Sequence, residues 1–240
     1  MPLKYALGNT SFNGSIMFFY RCGSVLAALL LGATLAACGG TTTKRASLAP
    51  EVVESDYTAQ RSALGVVLLA VNWGRRWNCG GFQHAELRGF AFDRLPWGGR
   101  PPAAAGDMEA EGPEAVLMRP GLQHYALQLP PGSYALSRVR IRATRDTAPL
   151  ALDLSRSELA QDGAPAGGSF QVGAGETVYI GNFALNCEQA PMLWRYYAQG
   201  RENFQHQLLE YRRKYPFLKL DEVHYRLFDT SRFGLPYQLP

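Results

Sequence analysis

Leu122-Gln-His-Tyr-Ala-Leu-Gln-Leu-Pro-Pro-Gly-Ser-Tyr134 and, further on, Gly173-Ala-Gly-Glu-Thr-Val-Tyr-Ile-Gly-Asn-Phe-Ala-Leu185 decide the fold. Each alternates apolar with polar residues, is punctuated by proline or glycine, and continues in β-branched and aromatic residues, which is the pattern of strand, turn and strand. Pro130-Pro131-Gly132 suits a type II turn, because proline presets φ and glycine accepts a positive one. The first stretch therefore predicts a hairpin between 122–129 and 133–144. In its second arm Val139, Ile141 and Ala143 face one way, and Arg138, Arg140 and Arg142 the other. Tyr134 and Leu136 share the arginine parity, so a strand irregularity is expected near Ser137.

The same slip of phase occurs twice more. Ala85 and Leu87 have one parity and Phe90 and Phe92 the other, with Gly89 between them. Val178 and Ile180 are likewise out of phase with Phe183 and Leu185 across Gly181. One extra residue in a strand does this, so β-bulges are expected at Gly89 and Gly181, bending the strands of a curved sheet pair. Leu64 to Val71 is an unbroken apolar run and predicts a strand buried on both faces. Trp73 to Gly81 turns the chain, Leu150, Leu152 and Leu154 alternate as a further strand, and Asp162 to Gly168 is a turn.

Beyond Cys187 the period changes. Phe204, Leu208, Tyr211 and Tyr215 recur at helical spacing, with Glu202 in the first turn, Arg212, Arg213 and Lys214 in the last, and Pro216 as the stop. A last strand or extended tail is expected through Val223, Tyr225, Leu227 and Phe233. The long segment 95–120, rich in proline, glycine and alanine, carries Asp107, Glu109, Glu111 and Glu114 and is expected to be disordered. The fold class is mainly β: an antiparallel β-sandwich with one packed C-terminal α-helix.

The N-terminal region reads as a targeting segment. Lys4 and Arg21 are basic, Ser24 to Leu35 is apolar but short for a membrane span, and Leu35-Ala36-Ala37-Cys38 follows. That sequence resembles the lipobox of bacterial lipoproteins, which implies removal of 1–37 and a diacylglyceryl group on Cys38. Either Met1 or Met17 is compatible with such a leader. Gly39, rather than Asp, implies export to the outer membrane of a Gram-negative cell; the domain is expected in the periplasm, with a surface-exposed orientation as the alternative. Acyl chains at about 0.8 kcal/mol per buried methylene would hold the protein to the bilayer. Residues 38–62 then form a flexible tether, helical in part around Glu51 to Arg61, and 63–240 the sandwich domain with its helix and tail.

Loss of the leader takes Cys22, and lipidation takes Cys38, so Cys79 and Cys187 remain. Two cysteines in an oxidising compartment predict a disulfide, with a metal site or a reactive thiol as the alternatives. Closing a loop of about 110 residues is worth up to about 4–5 kcal/mol by the chain-entropy argument.

The whole chain carries 24 basic and 20 acidic residues, a formal charge of +4. Without Lys4 and Arg21 it is nearly neutral, which gives no electrostatic case for nucleic acid. The histidines, His84, His124, His206 and His224, are scattered. His84-x-Glu86 lacks the Pro-Cys-x-x-Cys partner of zinc deaminases, and none of the common hydrolase, zinc-protease or phosphate-loop motifs occurs. No catalytic residue, metal or cofactor is expected. Arg138, Arg140 and Arg142 set three guanidinium groups side by side, where they repel unless neutralised. They predict either contact with an anionic ligand or an outer face supplied with cross-strand carboxylates. Trp97, beside Gly98-Gly99, is the candidate for an exposed aromatic contact.

Leu129-Pro130-Pro131-Gly132-Ser133-Tyr134, with Gly175-Glu176-Thr177-Val178-Tyr179-Ile180-Gly181 after it, resembles a broad set of bacterial lipoproteins of unassigned role. Their sandwich is similar to transthyretin-like and carboxypeptidase-regulatory domains. The likeness covers 122–187, extends to 64–187, and implies a fold with no catalytic residues. The expectation is a lipid-anchored envelope binding or assembly module, meeting the membrane through its lipid and an envelope protein or glycan through its surface. The alternatives are a hydrolase of peptidoglycan, lipid or glycan, and a structural spacer.

Overall fold

Glycine, proline and polar pairs cut the chain into short strands. In chain order these are β1 (Ser47–Ala49), helix α1 (Glu54–Gln60), β2 (Gly65–Val71), β3 (Arg76–Cys79), β4 (Phe82–Arg94) and β5 (Met108–Glu111). Then come β6 (Gln123–Leu129), β7 (Gly132–Arg145), β8 (Ala148–Leu154), β9 (Ala160–Gln161), β10 (Ala164–Pro165) and β11 (Ser169–Val172). The last are β12 (Thr177–Asn186), β13 (Met192–Tyr196), helix α2 (Arg201–Lys214) and β14 (Val223–Tyr225). The computed structural model describes residues 47–49, 51–97, 106–112 and 121–237, all within one compact unit, Thr42–Pro240. The expected leader 1–37, the lipidation site Cys38, the first part of the tether, and Gly98-Gly99 and Glu114 of the long loop lie outside the described residues.

Among the described residues two large sheets result, with a separate two-stranded ribbon of β9 and β10, and the fold is mainly β, as expected. The first runs β1-β5-β4-β7-β11, with β3 also on β4 and β8 also on β7. The second runs β13-β12-β2-β6, with β14 also on β12. All pairings are antiparallel except β2 with β12 and β12 with β14. The second sheet is therefore mixed, within a sandwich that is otherwise antiparallel.

β2 lies at its centre. Val67, Leu69 and Val71 enter the cluster between the sheets, while Val66 and Leu68 enter a second cluster under α2. Phe92 centres the first cluster, with ring centroids 5.8 Å from Phe90, 5.2 Å from Phe170 and 5.4 Å from Phe228. Each fully buried ring of this kind is worth roughly 1.5–3 kcal/mol of transfer free energy. In the second cluster the stripe Phe204, Leu208, Tyr211 and Tyr215 meets Val66, Leu68, Ala126 and Tyr179. The described residues thus form three layers: sheet, sheet and helix.

The three expected phase slips are present. Register shifts fall between Leu87 and Gly89, opposite Ser137 where Ala91↔Arg138 is followed by Phe92↔Leu136, and between Tyr179 and Gly181. At Gly181 φ is +109°, and a Cβ there would lie 3.0 Å from the Arg195 side chain, so the bulge also makes room for a neighbour.

Other expectations need correction. The strands around Pro130-Pro131 do not form a hairpin: β6 pairs with β2, from Gly65↔Leu129 to Val71↔Gln123, whereas β7 pairs with β4 in the other sheet. Two adjacent prolines offer no N–H to a hairpin ladder, and the corner is held instead by side chains. The Tyr134 hydroxyl donates to Pro130 O at 2.7 Å and Arg94 Nη2 to Pro131 O at 2.5 Å. Gly173 to Glu176 is a second corner of this kind, carrying the chain from β11 in the first sheet to β12 in the second.

Part of 95–120 is also ordered. Met108–Glu111 forms β5, with Met108 and Ala110 fully buried and Glu109 and Glu111 on the opposite parity. Order likewise reaches into the stretch expected to be a tether. Ser47–Ala49 pairs with β5, Val52 is buried, and α1 lies within the segment expected to be helical.

The disulfide exists: Cys79 and Cys187, 108 residues apart, are joined with their Cα atoms 4.3 Å from each other. It ties the end of β3 in the first sheet to the residue after β12 in the second.

Candidate functional site

The expected arginine stripe lies on the outer face of the first sheet, and each member has a carboxylate. Arg138 donates to Asp153 on β8 at 2.7 and 3.1 Å, and this pairing holds the Asp153 carboxyl below its usual range. Arg140 reaches Glu109 at 3.1 Å and Glu111 at 3.0 Å, both on β5. Arg142 meets Glu86 at 2.6 Å, and Glu86 also takes Arg75 at 2.5 Å and lies 3.6 Å from Arg88. Glu86 is only 1% exposed, a carboxylate sunk among guanidinium groups. An anion reaching this face would have to displace a carboxylate already in place.

Trp97 is half-buried, with the Arg156 guanidinium 6.0 Å from its ring, and Arg156 is bound in turn to Asp93 at 2.6 Å. The exposed tryptophan is Trp77, at 62%, its ring edge-on to His84 at 4.9 Å and under Arg75 at 5.7 Å. Sequence reasoning placed Trp77 among the possible stacking aromatics but preferred Trp97, because exposure depends on a β3–β4 hairpin that alternation alone does not specify.

The histidines stay apart. His84, His206 and His224 are exposed. His124 packs edge-on against Tyr211 at 4.9 Å, and its pKa is lowered, chiefly by burial. His224 borders a shallow polar bowl of about 540 Å³ with Glu176, Glu222, Asp221 and Lys219. Glu176 is committed there to Arg226 at 2.8 Å and to the Gly173 N–H at 2.7 Å, which lower its pKa. Among the described residues no group of histidines, cysteines and carboxylates is arranged to hold a metal ion.

The apolar cavity lies elsewhere, along the side of the sandwich where β8 of the first sheet and β13 of the second stand apart. This groove, about 420 Å³, is walled by Leu152 and Leu154 of β8, Ile141 of β7, and Met192 and Trp194 of β13, with Phe233 below. Leu152 and Leu154 alternate with exposed Ala151 and Asp153, so the strand period itself aims them inward. They remain half-buried because β13 does not close over them. The loop from Glu188 to Pro191 shuts one end. It is held by Cys187 and by Gly80, where a Cβ would lie 2.1 Å from Gln189 O. At the rim Arg232 donates to Glu158 O at 3.0 Å. Sequence reasoning found the Leu150, Leu152 and Leu154 alternation but not the gap they face, which depends on which strands lie opposite.

A buried arginine stands behind β13. Arg195 is 1% exposed, donates from Nη2 to Leu235 O at 2.8 Å, and lies 5.5 Å from the Tyr197 ring and 5.9 Å from that of Tyr237. Its Nε and Nη1 find no acceptor among the described residues, and burial lowers its pKa. Its contacts pin the C-terminal tail along β13, where Arg195 N also donates to Phe233 O at 2.6 Å.

No family model, no curated protein and no solved structure matches the chain.

Proposed function

We propose that this protein is a non-catalytic binding or assembly module of the bacterial envelope, tethered by lipid at Cys38 and resembling the transthyretin-like lipoproteins in its sandwich. The observation that carries the reading is the groove between β8 and β13. Its walls are apolar, its titratable groups stand at the rim rather than converging inside, and it is fixed at one end by a disulfide. Apolar concavities with a few polar groups are the usual form of a binding site, and catalysis would need titratable groups converging inside.

In-cell photo-crosslinking tests it. A photoreactive residue at Leu154 or Trp194 is expected to trap an envelope component, and the same residue at Arg140 is not. The yield is expected to fall for Cys38→Ala, which removes the anchor. Crosslinks that follow Arg140 and spare the groove would overturn the assignment of the working surface. Trapping from none of the three positions would leave a spacer.

A further inference from the structure

Among the described residues, every strand of five or more residues except one has backbone partners on both sides. β6 is capped by Val52, whose N–H donates to Ala126 O, and β13 by Phe233. The exception is β8, which pairs with β7 alone along its seven residues. A bare edge offers N–H and C=O groups that another strand can take. The usual guards are slight here. Pro149 stands near the start, and the one charge, Asp153, is turned onto Arg138.

The same strand supplies one wall of the groove. A segment laid along β8 would extend the first sheet over the groove mouth, and its alternate side chains would descend toward Met192 and Trp194. The two ends differ in charge. Arg232 is anchored at Glu158, beyond the C-terminal end of β8, and pairs with no carboxylate among the described residues. Glu188 follows Cys187, which the disulfide holds beside the start of β4, where Gln83↔Thr144 and Thr144↔Pro149 mark the N-terminal end of β8.

We infer that the β8 edge and the groove together receive an extended peptide segment of a partner protein, apolar at alternate positions, acidic at the Arg232 end and basic at the Glu188 end. This rests on the reading of the protein as a binding module and names its partner class. An acyl chain would fill the groove but leave the edge unpaired, so the backbone edge favours a peptide.

The test uses the acylated, mature chain in phospholipid nanodiscs. The probe is a nine-residue peptide alternating threonine and valine, with lysine at one end and glutamate at the other, made in both orders. One order is expected to bind and to slow amide exchange within Ala148–Leu154. N-methylation of one alternate set of its amides should weaken binding at least tenfold, and methylation of the other set should leave it within about threefold. Leu154→Lys should also cost at least tenfold. If that variant does not fold, the methylated peptides carry the test, since they leave the protein untouched. Arg232→Glu should weaken the preferred peptide and be rescued by lysine in place of its glutamate.

The inference is overturned if both methylated peptides bind like the parent, which would mean apolar capture alone. It is overturned equally if β8 is already protected in a peptide-free dimer, which would mean that a second copy covers the edge. Groove crosslinks in cells, combined with unchanged β8 exchange, would sink strand addition and leave the module reading standing.

Discussion

Each sheet has an outward face that needs covering, and the molecule covers the two faces with opposite chemistry. The second sheet lies under α2, where Leu208, Tyr211 and Phe204 are buried against Leu68 and Tyr179. The first lies under a mesh of ion pairs, with Glu86 at the bottom and Arg138, Arg140 and Arg142 across the top. One cover works by excluding water, and the other by satisfying charge while water stays near. The first should be sensitive to volume, the second to protonation and to the loss of a single partner.

The largest expected effect is on the helical cover. Leu208→Ala removes a side chain only 3% exposed and should lower stability by about 2–4 kcal/mol, read as a shift in the urea midpoint. A loss below about 1 kcal/mol would show that α2 rests on the sheet without being packed there.

Glu86→Gln comes next. It keeps the shape but leaves Arg75, Arg88 and Arg142 without their shared charge, at an expected cost of about 1–3 kcal/mol. Those arginines are partly exposed, so water recovers some of the loss. A neutral result would reduce the mesh to decoration.

The two faces should also answer differently to pH. Asp153 has its folded pKa lowered by Arg138, so its contribution is complete above the unfolded value near 4 and is lost as pH falls through the folded one. Tyr211 has its pKa raised by burial, so its contribution is complete below about 10 and is lost as pH rises toward the folded value. Tyr125, in the core between the sheets, is pushed up to about 12 by burial and should ionise late. Tyrosinate absorbance should therefore rise together with loss of helical circular dichroism at high pH. His124, packed on Tyr211 with its pKa lowered by burial, should loosen the same cover when it is protonated in acid. Tyrosinate release without helix loss would uncouple that ring from the cover.

The smallest effect is expected from Arg138→Gln, below about 1 kcal/mol, because the side chains of Arg138 and Asp153 are 36% and 47% exposed. Thermal denaturation at two salt concentrations would measure it. A larger loss would mean that the mesh is cooperative and that no pair in it can be assessed singly.

Much of the frame was legible from residue order, for identifiable reasons. A short uninterrupted apolar run rich in valine favours a strand covered on both sides, so β2 was readable, and a parity break leaves few solutions other than a bulge. Cys79 and Cys187 remained as a pair by elimination, and Phe204, Leu208, Tyr211 and Tyr215 declared a helix face. What alternation does not carry is the identity of the strand alongside. Pro130-Pro131 looks the same whether the chain doubles back or crosses to the other sheet, so a corner was mistaken for a hairpin. Met108-Glu-Ala-Glu111 obeys the strand period, but it is short and sits in a glycine- and proline-rich segment whose composition masked it. Glu86 looked like half of a zinc motif and proved to be a counter-ion. The groove was hidden for the same reason as the corner, because a gap between two sheet edges is a property of neighbours.

The parallel pairing of β2 with β12 has a consequence for the order in which the protein can be completed. The neighbours of residues 65–71 are 123–129 on one side and 177–183 on the other. A nascent chain must therefore run more than a hundred residues past its central strand before that strand is enclosed, which places this topology among the slow, non-local folders. Until Phe183 has emerged, the most hydrophobic segment of the domain has an open flank, and any fragment ending earlier carries that flank permanently exposed.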